Sequence, residues 1–162
     1  MCNKMEAILP AVAEITVAYI NKQSAKERPV ISTSADAHAI LLTGFNPDTI
    51  AYQEQFVAVY LNRANQVLGI YRVATGGQTG VIADPRMILA TALKITAVSC
   101  IVSHNHPSGS MKPSRQDEEL TNKLREGGKF LDVKILDHLI MSPCGEQYFS
   151  FADEGLLYLS ES

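Results

Sequence analysis

Apolar and polar positions change register several times along this chain, and each change marks an element. Over residues 5–21 the apolar positions Ile8, Val12, Ile15 and Tyr19 recur at helical spacing, one stripe on one face. Residues 22–29 are charged and polar, a connector. Ser34 can cap a second helix over residues 35–42, which Gly44 and Pro47 terminate. Residues 55–61 predict a strand, 62–65 a turn and 66–73 the returning strand of a hairpin. Gly76-Gly77 breaks that pattern. Asp84 then caps a helix with Pro85 at its first position, running to about Ile95. Residues 97–102 are almost continuously apolar, as in a central strand covered on both faces. Pro113-Ser114 opens a helix that ends near Gly127-Gly128. Residues 133–141 predict another strand, and a turn at Pro143-Cys144-Gly145 leads to a short closing strand at 147–151. The order is hairpin, helix, strand, helix, hairpin. It predicts a mixed sheet flanked by helices, of α/β or α+β class. No repeat or long linker interrupts it, so one domain is expected over 34–162, with a helical extension over 1–33.

Composition narrows the function classes. A chain of 162 residues fits one domain and can bury roughly two-thirds of its unfolded surface. A net charge of −3 argues against an autonomous nonspecific DNA binder, which carries a basic face. Arg115, Lys123, Arg125 and Lys129 form a local basic cluster, but Glu118, Glu119 and Glu126 lie among them. That mixture describes a solvated helix with i,i+4 pairs. The cysteines Cys2, Cys100 and Cys144 form no C-x-x-C and suggest no disulfide framework, so a cytoplasmic protein is expected. Lys4, Glu6, Pro10 and Glu14 break the N-terminal apolar stretch, so neither a signal peptide nor a membrane span is expected.

The chemistry concentrates in residues 103–117. His104 and His106 are two positions apart, which at a strand end puts both rings on one face. Asp117 follows at the start of the next helix. Two His and one Asp form the protein part of an open zinc site, with a fourth position left for water. Zinc lowers the pKa of such a water toward ~7. Asn105 points to the opposite face, and Pro107 and Gly109 turn the chain so that the loop can return. H-x-H alone is weak, since surface histidines pair by chance. Ser114 with Asp117 is a capping box in its own right, expected without any catalysis.

The wording His104-Asn105-His106-Pro107-Ser108-Gly109 followed by Pro113-Ser114-x-x-Asp117 resembles the JAMM motif of the JAB/MPN metallopeptidases, and within them the RadC family. The similarity runs from about Thr49 to the end of the chain. It includes Glu54-Gln55-Phe56, Asp84-Pro85-Arg86 and Leu136-Asp137-His138-Leu139. It implies an MPN/JAB (cytidine-deaminase-like) fold and Zn2+ held by His104, His106 and Asp117. It also implies Ser114 as oxyanion support, with Ser108 a weaker candidate. In that superfamily the base is a Glu about fifty residues before H-x-H. Here Glu54 precedes His104 by fifty residues. From the residues alone, Glu54 is one carboxylate beside a strand. His138 is expected to be a packed histidine rather than a hydrogen-bond partner of the site, and His38 to be exposed. The resemblance implies a hydrolase of peptide or isopeptide bonds, with a peptide or protein substrate. RadC proteins carry a traditional association with DNA repair, and a non-catalytic scaffold in a DNA-processing complex is the alternative. Residues before Ser34 show no G-x-G hairpin signature and are few, so DNA contact is expected to be weak or indirect. A homodimer could form through the hairpin edge. A nucleobase deaminase is rejected, because H-x-E and P-C-x-x-C are missing.

Overall fold

A computed structural model describes residues 13, 15–76 and 83–158. Helix α1 (Ser34–Leu42) precedes the hairpin β1 (Gln55–Leu61) and β2 (Val67–Thr75). Then come α2 (Pro85–Lys94), β3 (Ser99–Asn105), α3 (Arg115–Phe130), β4 (Lys134–Met141) and β5 (Tyr148–Ser150). The five strands form one mixed sheet in the order β2-β1-β3-β4-β5. β1 is antiparallel to both β2 and β3, β3 is parallel to β4, and β4 is antiparallel to β5. The parallel pair needs a crossover, which α3 supplies. This is the α+β arrangement that the element order predicted, and it is consistent with the JAB/MPN fold that the resemblance implied.

Both faces of the sheet are covered. Phe56, Ala58, Tyr60, Cys100 and Val102 pack with Ile88, Leu89 and Ala92 of α2 and Leu124 of α3. Val57, Val59, Leu61 and Ile101 pack with Ala37 and Leu41 of α1 on the other face. All seven residues of β1 and of β3 are buried, as their near-continuous apolar sequences require. Alternation along β3 therefore sends His104 to the α2/α3 face and Asn105 to the α1 face.

Three boundaries differ from the sequence expectation. The cap of α1 is Thr33, not Ser34. Thr33 accepts from the Asp36 amide at 3.1 Å, and Asp36 accepts from the Thr33 amide at 2.9 Å, a reciprocal box that Ser34 lacks. Ser34 instead donates to Asp153 at 2.6 Å. Of the helix expected over 5–21, residues 15–21 are described and carry none; positions 5–12 and 14 lie outside the described residues. Ile15 and Ile20 are more than four-fifths exposed, so these two side chains bury no face that would support a helix, and a short helix is marginal alone. Finally, α3 does not stop at Gly127-Gly128 but passes through them to Phe130. These glycines serve close packing. A Cβ on Gly128 would lie 2.3 Å from the Val133 carbonyl oxygen, and one on Gly127 would lie 2.8 Å from Leu89 Cδ1. The i,i+4 pair Arg115–Glu119, at 2.9 Å, is exposed as the charge pattern suggested. Among the described residues no helix is long and apolar enough to cross a membrane.

Gly128→Ala should lower stability by about 1–3 kcal/mol, because the overlap falls on backbone and outweighs the roughly 1 kcal/mol helix gain of alanine. Gly69→Ala, with no atom within 4 Å of its Cβ, should leave the urea midpoint unchanged or raise it. Equal midpoints for wild type and Gly128→Ala would show that α3 and Val133 separate without cost.

Candidate metal centre

The site is built from the end of β3 and the start of α3. The last β3–β4 pairing is extended by the His106 amide, which donates to the Met141 carbonyl at 3.0 Å. Gly109 then adopts a φ of +79°, and its amide donates to the His106 carbonyl at 2.9 Å, turning the chain sharply. The returning loop ends at Ser114, the N-cap of α3. The Ser114 amide and hydroxyl each donate to Asp117 Oδ2 at 2.7 Å, and the Asp117 amide donates to Ser114 Oγ at 3.2 Å. The capping box is real, and it holds the carboxylate against the two histidines. Asp117 Oδ1 lies 3.1 Å from His104 Nε2, and Oδ2 lies 3.5 Å from His106 Nε2. One ligand atom from each of these three residues lies within 4.8 Å of the others.

The hydrogen-bond partners fix the tautomers of all three histidines around the site. Thr121 is one helical turn beyond Asp117, and its hydroxyl donates to the Asp117 carbonyl at 2.6 Å. Its single hydrogen is thereby used. The same oxygen is 2.6 Å from His138 Nδ1 and must accept there, so His138 carries its proton on Nδ1. Complete burial holds His138 well below the usual histidine pKa, and a charge on His104 would push it lower still, so the ring is neutral and Nε2 keeps a lone pair. That lone pair accepts from His104 Nδ1 at 2.8 Å. His104 Nε2 is left bare. His106 Nδ1 faces the Ser110 carbonyl at 2.7 Å, which can only accept, so in the neutral ring His106 Nε2 is bare as well. The two bare nitrogens stand 2.9 Å apart beside the Asp117 carboxylate.

Two lone pairs and an anion converging on one point call for a cation. A proton on either Nε2 is one such cation, and a ring charged in this way donates to Asp117. The Asp117 hydrogen bond raises the His106 pKa against the opposing effect of burial, and the Ser110 carbonyl and the charges of Asp117 and Glu54 add to the rise. For Asp117, burial works to raise the carboxyl pKa. Hydrogen bonds from His104 and His106, the charge of His104 and the Ser114 hydroxyl outweigh it and hold the group well below the carboxylate range. Two imidazole nitrogens and one carboxylate oxygen, with second nitrogens already hydrogen-bonded, are a donor set suited to a metal such as zinc.

Aromatic rings floor the site. Phe56 stacks parallel to His104 at 5.9 Å, and Phe151 stacks on His138 at 4.8 Å. Asp137 anchors the second ring. It accepts from Ser150 Oγ at 2.6 Å and from the Ala152 amide at 2.9 Å, which seats Phe151; burial raises its pKa despite these bonds. Glu54 is half-buried just before β1, whose Phe56 pairs with His104. Its charge acts on His106, so the structure brings Glu54 toward the other candidates. Ser114 is exposed, with its hydrogen given to Asp117. A cleft of about 910 Å³ beside Ser99, Arg125 and Lys134 opens at the opposite end of β3 and contains none of these groups.

Two histidines differ from expectation. His138 is not merely packed, since both ring nitrogens are hydrogen-bonded and one orients a ligand. The β3–β4 register that sets Val102 opposite His138 was needed to see this. The one local signal was Thr121, four residues after Asp117 on the same helix. His38 is half-buried, stacked on Tyr148 at 4.7 Å and bonded to the Gly145 carbonyl at 2.8 Å. His138→Ala should reduce zinc affinity by about 10–100-fold, the usual effect of losing the group that orients a ligating histidine. Competition with a chromophoric chelator measures it, and wild-type affinity in the variant would show that the chain from Thr121 to His104 does not tune the site.

The RadC-like JAB domain family matches residues 31–156 of this chain. A UPF0758 protein of Flavobacterium johnsoniae is 39% identical over 128 residues, covering 78% of this chain and 53% of its own length. One from Rubrobacter xylanophilus is 37% identical over 80% of this chain and 55% of its own. One from Bacillus licheniformis is 40% identical over 85% of this chain and 59% of its own. The chain thus spans about half the length of the curated relatives it matches. With its mixed sheet, its His-x-His strand end and its Ser-x-x-Asp helix start, the chain belongs to the RadC-like JAB domain family.

Proposed function

We propose that this chain is a zinc-dependent hydrolase of the JAMM type, cutting a peptide or isopeptide bond. The observation that carries the proposal is the pair of bare imidazole nitrogens 2.9 Å apart beside the Asp117 carboxylate. His104, His106 and Asp117 would hold the metal. Zinc, when bound, supplies a Lewis acid that acidifies a water and polarises a carbonyl. Glu54 takes the proton of the attacking water and delivers it to the leaving amine. The Ser114 hydroxyl, now donated to Asp117, turns its hydrogen to the developing oxyanion. Phe56 and Phe151 keep the inner side of the site dry, where such charges interact most strongly. With a net charge of −3, duplex DNA contact in this proposal is weak or indirect, and the partner is a peptide or protein met in the cytoplasm.

The deciding experiment incubates zinc-loaded protein with a mixed peptide library and follows cleavage by mass spectrometry. Wild type should retain one zinc by elemental analysis, and the His104→Ala/His106→Ala variant none. Glu54→Gln should keep zinc and lose about 10²–10⁴ in rate, the contribution of a positioned acid–base group. His106→Ala should lose metal and activity together. Full activity in Glu54→Gln would remove Glu54 from the mechanism, and zinc binding without any cleavage would favour a scaffold.

A further inference from the structure

The middle residue of His104-Asn105-His106 takes no part in holding a metal, yet it is fully buried. Its side chain makes three hydrogen bonds. Asn105 Nδ2 donates to the Ile50 carbonyl at 2.6 Å and to the Gln53 carbonyl at 2.9 Å. Asn105 Oδ1 accepts from the Gln55 amide at 2.7 Å. The two peptide groups it holds on the 53–55 segment flank Glu54. The carbonyl of Glu54 itself accepts from the Gly76 amide at 2.8 Å. We infer that Asn105 is a positioning residue that fixes Glu54 relative to His104 and His106, so that one tripeptide sets the ligands and the base together.

The chemistry of the contact requires an amide. One planar group must offer an acceptor to an N–H and two donors to carbonyls, which only Asn or Gln can do. The opposite orientation of the amide would face its oxygen to two carbonyls and its nitrogen to an N–H, losing all three bonds. Gln adds a methylene to a side chain that is already fully buried and would shift the amide off its three partners. Closure of the loop does not need Asn105. The Gln55 side chain already ties the segment, accepting from the Asn46 amide at 2.8 Å and donating to Thr49 Oγ1 at 3.0 Å. What Asn105 adds is attachment of that loop to β3 between the two ligands. Alternation makes this possible, since the strand that turns two rings to one face turns the residue between them to the other.

The role of Glu54 as base rests on the hydrolase proposal; the clamp does not. The test uses the full chain, zinc-loaded, as wild type, Asn105→Asp, Glu54→Gln and the double variant. Asn105→Asp loses both donors and sets a carboxylate oxygen against the Ile50 and Gln53 carbonyls, which repels the segment and so loosens the bond that protects the Gln55 amide. It should retain zinc stoichiometry, while NMR hydrogen exchange at the Gln55 amide accelerates. On a peptide that wild type cleaves, kcat should fall by about 10²-fold, the effect of misplacing a catalytic group by ~1 Å, with KM unchanged. In the Glu54→Gln background the same change should cost nothing further. Multiplying losses, a loss of zinc, or unchanged exchange at Gln55 would each overturn the inference. Asn105→Ser, smaller and open to water, carries the same readouts if the Asp variant does not fold. Should wild type cleave nothing, the hydrolase proposal fails, and the exchange and zinc measurements still decide whether Asn105 clamps the loop.

Discussion

β3 is paired on both sides, antiparallel to β1 and parallel to β4, and the metal centre depends on both ladders. The antiparallel ladder sets Phe56 beside His104 and brings the segment before β1 to the level of the histidines. The parallel ladder brings His138 alongside the ligands from the other direction. A slip of one residue in either pairing would turn the ligands into the α1 face and Asn105 into the metal centre. Register in such a strand is strongly specified because both faces are buried. The cost of slipping is the exposure of a full row of core residues.

The polar groups then arrange themselves as a single donor–acceptor sequence. The Asp117 carbonyl, the Thr121 hydroxyl, the His138 ring and the His104 ring pass donors in one direction and leave a lone pair at the far end. Burial of His138 is what keeps the sequence one-way, because a charged ring there would donate from both nitrogens. Loss of any member would leave a buried polar group unpaired, so the network is expensive to break and correspondingly rigid. Phe56 and Phe151 add packing on either side of the paired rings.

Much of this was legible in the sequence. The apolar runs of β1 and β3, the Asp84-Pro85 start of α2 and the Ser114-x-x-Asp117 box are local patterns whose physics is local, and each appears close to where it was expected. His104, His106 and Asp117 follow from alternation and a helix start. Non-local facts were not legible. Gly127 and Gly128 look like a helix end because glycine is a poor helix former. Their purpose is contact with Leu89 and Val133, known only once α2 and β4 are in place. His138 and Asn105 look like a packed ring and a spacer because their partners come from other elements. The 15–21 segment shows the converse, since periodicity marks a face but not whether anything covers it.

The Asp117 carboxylate divides its work between two oxygens. Oδ2 is committed to the Ser114 amide and hydroxyl, and Oδ1 is the one nearer His104. A carboxylate with one oxygen spent on a helix end is a poor bidentate chelator, since gripping an ion with both would unravel the first turn of α3. In the zinc proposal the cap would therefore act as a size and coordination filter. Large ions that collect many oxygens, calcium foremost, gain little here, whereas a small ion content with four ligands loses nothing. In that proposal, selectivity would be written partly in the way a helix begins.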